Sequence, residues 1–280
     1  MVEAPTLADF VAAWPLFRDP VLCAVFAGAV LGWLGVHVVL RRMVFFAATL
    51  SQAAGLGVAL AFYAGIHAGV HVHPVVGAAV ASLITAGLAS MRAERLHLSR
   101  DALLAFAWLV AGAGAVLIGD RIAQEAHDVA GILFGTAVLV DPTDLMLVLG
   151  VGGIALTAAL VLHRGIVYAG YDPDGARVQG LPVRGLEMGL VIVVTLVVSV
   201  ATRALGALPV FAFSVLPGVA ALLASPRLGP VFPIAAALGA LSGGLGYIAA
   251  FLWEFPVGAS QTAVAVAFVV LAVPLRLLRR

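Results

Sequence analysis

Between residues 20 and 275 the chain is a succession of apolar runs joined by short polar connectors. A bilayer core is roughly 30 Å thick, so about 20 apolar residues in a helix make one crossing. Runs near 20–40, 44–63, 74–91, 102–119, 144–162, 186–203, 205–224, 230–251 and 257–275 approach that length. Backbone groups in lipid must be paired within their own segment, so these runs predict an all-α integral membrane protein with about nine transmembrane helices. Composition agrees: 63% of residues are hydrophobic, 10% are charged and the mean hydropathy is +1.15, which leaves too little charge to cover a surface in water. Residues 1–19, with Glu3, Asp9, Arg18 and Asp19 and with prolines at 5 and 15, lack the positive start of a signal peptide. They read as a short exposed tail on the extracytoplasmic side, ahead of a polytopic domain over 20–280. The piece from Val129 to Val140 is too short to cross and lies between polar pairs, which suits a short re-entrant or interfacial helix.

Arginine supplies every basic side chain except histidine, because the sequence contains no lysine. With the amino terminus outside and nine crossings, twelve arginines fall in the cytoplasm and three, Arg18, Arg121 and Arg203, fall outside. A tenth crossing at 129–140 reverses the later loops and turns the split into six against nine. The positive-inside rule therefore favours a multi-pass protein of the plasma (inner) membrane with its N-terminus outside and its C-terminus cytoplasmic. A net charge of +1 with no basic face gives nucleic acid nothing to bind, and lipid is the surrounding partner.

Chemistry is sparse. Without lysine the chain cannot complete a phosphate-cradling Walker A loop, and it carries no nucleophile elbow and no H-E-x-x-H pair. It is read as a non-enzyme that binds no cofactor of its own. Cys23 lies in the first apolar run as a small hydrophobe. Gly28/Gly32, Gly185/Gly189 and Gly239/Gly243 are spaced for close helix packing. Pro209 and Pro217 interrupt the seventh run and free backbone carbonyls, a pattern that often lines a pathway. Of the seven histidines, His67, His71, His73 and His127 gather on the outer side, where neutral imidazoles could capture a borderline metal at an entry site. His37, His97 and His163 read as scattered and solvated at the inner face. The carboxylates all sit in loops or at span ends, which argues against a proton-coupled secondary transporter.

One segment carries a resemblance: Arg41-Arg42-Met43-Val44-Phe45-Phe46-Ala47-Ala48-Thr49-Leu50-Ser51-Gln52-Ala53-Ala54-Gly55-Leu56-Gly57-Val58-Ala59 looks like the start of the second span in ABC permeases for zinc, manganese and iron. Leu133-Phe134-Gly135, Asp172-Pro173 with Ala176 and Gly180, Pro217, and Pro256 with Gly258 agree in order and in expected side. The resemblance covers roughly 20–275 and implies a type II ABC importer permease-like fold. It also implies a permease homodimer, two copies of a separate ABC ATPase that holds the ATP and Mg, and an extracytoplasmic substrate-binding protein. The implied substrate pathway comprises Ala48, Thr49, Ser51, Gln52 and Pro217. Relatives commonly carry aspartate and histidine where this chain has Ala48 and Gln52. These positions lie one helical turn apart on one face, so the change removes a paired metal site and implies a relaxed metal pathway or a changed substrate.

The loop near 163–184 is the longest inner connection between the expected spans. Asp172 reads as an N-cap with Pro173 at the first helical position. The resemblance makes the short helix that follows, with Asp172, Pro173, Ala176, Arg177 and Gly180, the coupling helix that meets the ATPase. A bulky residue at Ala176 or Gly180 is then expected to uncouple hydrolysis from transport with the membrane fold intact. The functional readings are an ABC permease for divalent metal of the zinc or manganese class, an ABC permease for another small solute such as a metal chelate, and an ATPase-independent secondary transporter.

Overall fold

A computed structural model of the chain describes residues 5–89, 99–122 and 140–278. Every regular element among the described residues is a helix: α1 (Leu7–Ala12), α2 (Trp14–Leu40), α3 (Val44–Ala68), α4 (Pro74–Ala89), α5 (Arg100–Ile122), α6 (Pro142–Val161), α7 (His163–Tyr171), α8 (Pro173–Val178), α9 (Val183–Leu205), α10 (Ala207–Phe213), α11 (Leu216–Ala224), α12 (Leu228–Trp253) and α13 (Val257–Leu278). Eight stretches, with α10 and α11 taken together, are long and apolar enough to cross a membrane. The apolar α4 has 16 residues, so each of the nine expected spans coincides with a helical stretch. Residues 129–139, where most of the re-entrant helix was expected, lie outside the described residues.

Within the segment expected to be an exposed tail, residues 7–12 and 14–19 are helical and most of their side chains are exposed, while Phe10 and Phe17 are buried. The Thr6 hydroxyl and the Asp9 carboxylate cap α1 reciprocally. Phe10 stacks on Phe17 at 5.8 Å, and both meet Phe251 of α12, at 5.2 and 5.4 Å between ring centroids. Helix α2 starts at Trp14 because Pro15 occupies a first-turn position whose N–H has no partner in any helix.

Helix α2 is the axis of the bundle, touching α12, α6, α11, α9 and α10. In its most apolar window 72% of residues are buried, against 17% in α13, so α2 is surrounded by protein and α13 is peripheral. Small residues let α2 and α12 meet backbone to backbone. A Cβ on Gly28 would run into the carbonyl of Gly239, and one on Gly243 into the carbonyl of Ala24. Two of the three glycine pairs marked in the sequence thus form one seam, while Gly189 faces open space. The seventh span breaks at Ser214–Val215 between α10 and α11. Pro217 lies in the first turn of α11, whereas Pro209 sits in the first turn of α10 and is not itself the break.

Between α2 and α3 the chain reverses in a Schellman turn. Met43 N–H donates to Val38 C=O at 2.8 Å and Arg42 N–H to Val39 C=O at 3.1 Å, with Arg42 left-handed at φ 57°. The bundle therefore has an arginine-rich end, holding Arg41, Arg164 and Arg227, and an acidic end, holding Asp141, Asp144 and Glu254.

Candidate functional site

The expected pathway residues of α3, Ala48 to Gln52, occupy its second and third turns. Thr49 is fully buried and its hydroxyl donates to Phe45 C=O at 2.8 Å, with Leu104 C=O of α5 at 3.3 Å. The buried Ser51 hydroxyl donates to Ala48 C=O at 2.9 Å. An unpaired hydroxyl there costs about 2 kcal/mol or more, and these bonds remove that penalty while committing both groups to backbone. Ala48 and Gln52 share the intervening face; Ala48 is buried, and the half-buried Gln52 amide lies against Gly112 of α5. Pro217 is buried in α11, which packs on α2, α12 and α13, while α10 is the half of the broken span that packs on α3. The chain thus places Pro217 and the 48–52 face in different packing neighbourhoods.

At the acidic end an open cleft of about 500 Å³ is lined by Phe62, Gly65, Ile66, His71, Val72 and His73 together with Ala61 and Pro74. His73 Nδ1 accepts from Val75 N–H at 3.4 Å in the first turn of α4. His67 turns away and stacks on Tyr63, with 4.2 Å between ring centroids. His127 lies outside the described residues. Among the described residues no three His, Cys, Asp or Glu side chains form a group able to hold a metal ion. Behind the cleft, Arg203 of α9 reaches Asp144 of α6 at 3.5 Å and lies 5.7 Å from the Phe62 ring centroid. Asp141 caps α6, accepting from Thr143 N–H at 2.8 Å, and the Thr143 hydroxyl and amide hold its carboxyl below the ordinary carboxylate range.

The arginine-rich end holds a cluster that sequence reasoning missed. His37 and His163, read as scattered and solvated, come within 6.0 Å of each other in ring centroids. Phe232 of α12 stands 4.8 Å from His37, 4.5 Å from His163 and 5.2 Å from Trp33. His37 is only 2% exposed, and burial pushes the His163 imidazole below its ordinary value. The spacing of Trp33 and His37 on one α2 face was visible; the return of the loop helix onto that face was not.

The predicted loop helix is present as α8. The Asp172 side chain accepts from Gly175 N–H at 2.9 Å, Pro173 opens the helix, and Gly180 follows its end at φ 79°, where a side chain would be strained. Arg177 pairs with Asp174 at 2.6 Å on the exposed face. Ala176, however, is fully buried with Ala169, Val183 and Leu186 between α7, α8 and α9. A bulky residue at 176 is therefore expected to disturb the packing of α7 and α8 on α9 as well as any partner contact, so Gly180, which is exposed, is the cleaner of the two positions for the uncoupling test. Outward-facing residues include Tyr171, Asp174, Arg177 and Val178, the last 88% exposed.

This architecture has solved counterparts. The chain superposes on a chain of PsaBC from Streptococcus pneumoniae with a TM-score of 0.85, covering 97% of this chain and 98% of that one at 23% identity. In sequence it is 25% identical over 257 residues to the manganese transport system membrane protein MntC of Halalkalibacterium halodurans, spanning 92% of this chain and 86% of that protein. It is 26% identical over 239 residues to the chelated iron transport system membrane protein YfeD of Yersinia pestis, spanning 85% of this chain and 78% of that one. The match to the family model runs over residues 14–276, from the first turn of α2 to the last turn of α13, and with the whole bundle inside it the chain belongs to the ABC 3 transport family.

Proposed function

We propose that this chain is the membrane-spanning permease subunit of an ABC importer for divalent metal ions of the manganese or zinc class. The observation that carries the reading is the helix pair α7–α8 at the arginine-rich end, with Tyr171 and Val178 exposed on a capped, internally packed platform. Apolar side chains held out on rigid backbone suit a partner surface. Positive-inside logic puts this end in the cytoplasm, where an ABC ATPase carrying ATP and Mg would dock. The acidic end then faces outward, and its cleft with His71 and His73 would receive the ion from a substrate-binding protein. A second copy of the chain would complete the pathway, and the amino terminus would lie outside.

The manganese transport system of the similar MntC supports the metal class. Ala48 and Gln52 favour a second reading, because neither side chain supplies the charged oxygen or imidazole that a bare divalent ion prefers, and a ligand-wrapped metal has no such need. The chelated iron system of the similar YfeD is consistent with that substrate form.

Uptake by proteoliposomes holding the chain with its ATPase and receptor tests both. ATP-dependent accumulation of free manganese or zinc supports the first reading, and accumulation of chelate alone supports the second. No ATP-dependent uptake of either overturns the permease assignment. The Ala48→Asp/Gln52→His pair is expected to raise free-metal uptake about 10-fold by restoring a carboxylate and an imidazole; equal uptake by both forms would remove positions 48 and 52 from the selectivity question.

A further inference from the structure

The α7–α8 platform packs on the membrane bundle through Ile166, Val167, Ala169 and Ala176, and one further tie is a single guanidinium. Arg41, the residue that ends α2, is 14% exposed in its side chain. Its Nη2 donates to the carbonyl of Ile166 in α7 at 2.8 Å, a bond between residues 125 apart in sequence. Its Nη1 lies 3.7 Å from the carboxylate of Glu187 in α9. A Cβ on Gly170, one turn beyond Ile166, would approach Nη2 to 3.2 Å, so a glycine there leaves room for the fork. One planar group thus spans three helices, which a lysine ammonium cannot reproduce with the same geometry.

The root of that side chain is fixed too. Arg41 sits on the Schellman turn, so its Cα cannot swing without breaking the Met43–Val38 and Arg42–Val39 bonds. The first residue of α7, His163, is seated between Trp33 and His37 of α2 and Phe232 of α12. Helix α7 is therefore tied to α2 over its first turn, by aromatic packing at His163 and by a charge-assisted hydrogen bond at Ile166, with Gly170 farther along bordering the guanidinium. Helix α2 in turn is joined to α12 through the glycine seam and to α11 through Gly35 and Gly218.

We propose that Arg41 is the positioning residue that carries displacement of the α7–α8 platform into α2 and α9. This rests on the ABC permease reading above and adds the element through which the ATPase stroke reaches the membrane core. A hydrogen bond to a neutral carbonyl, combined with a longer ion pair, lets the fork hold α7 firmly and α9 loosely. Pulling on α7 then moves α2 through the fork, while α9 follows through the apolar packing it shares with α7 and α8.

The test uses the intact transporter in proteoliposomes, with manganese chloride outside and ATP inside, and reads manganese taken up per ATP hydrolysed. Arg41→Lys is expected to leave ATP hydrolysis within about two-fold of wild type while the ratio falls about 10-fold, within the usual range of inter-site coupling. Gly170→Ala keeps every charge and pushes on the guanidinium from the α7 side; it is expected to lower the ratio in the same direction, and it covers the case in which Arg41→Lys does not fold. Glu187→Gln, which loosens only the α9 branch, is expected to lower it less. Unchanged ratios in the folded variants, or uptake and hydrolysis falling in parallel, would overturn the proposal while wild type still transports. A wild-type complex without ATP-dependent uptake overturns the permease reading, and this proposal with it.

Discussion

The two ends of the bundle handle polar groups in opposite ways. At the arginine-rich end Arg41 and His163 are each tied to backbone or rings of another segment and Asp172 caps α8 locally, and the result is a platform with few loose polar groups. At the acidic end His71 and His73 border an open cleft, and the Arg203–Asp144 pair behind it is a long 3.5 Å contact. On the proposed function, one end would transmit force and the other would admit an ion, and α2 runs between them as the shared frame. Satisfied polar contacts stiffen a structure, whereas loosely held ones leave room for exchange with a ligand.

The comparison breaks most severely if the frame is wrong. Gly28→Leu forces side-chain atoms into the backbone of Gly239 and is expected to cost about 3 kcal/mol or more. Thermal unfolding in detergent should show both ends lost together; a stable variant with normal uptake would mean that the seam is not the frame. A smaller effect, confined to the acidic end, is expected from Asp144→Ala. It leaves Arg203 without its carboxylate and should cost about 2 kcal/mol, less than a fully buried pair because Arg203 stays 24% exposed. Proteolysis should then accelerate near α6 and the cleft and remain unchanged in α7–α8. The smallest effect sharpens the other side: Arg42→Gly removes the cost of a side chain at φ 57° and is expected to stabilise the turn by about 1 kcal/mol. A melting temperature that drops instead would show that the Arg42 side chain has a role its backbone conceals.

The spans were legible because a run of apolar residues has one physical solution in lipid, and α3, α9 and α12 lie within a few residues of the positions expected from hydropathy. The start of α2 was not, since Arg18, Asp19, Pro15 and Pro20 resemble a breaker-rich tail; only the burial of Phe10 and Phe17 against α12 reveals a helix there. In the loop helix the cap could be read from Asp172-Pro173, a local signal, but the inward direction of Ala176 depends on Val183 and Leu186 arriving from α9. The 48–52 face was located from the motif. That the Thr49 and Ser51 hydroxyls are committed to carbonyls is a matter of rotamers, which sequence does not carry. Pairing of His37 with His163 needed the fold of the loop, a contact across 126 positions that periodicity cannot encode.

Where Gly28 faces Gly239 and Ala24 faces Gly243, no side chain stands between the two main chains to rotate, bend or cushion. Such a joint has no intermediate settings: the two rods slide as one piece or part altogether. Any rearrangement that opens this protein is therefore expected around the pair and not through it.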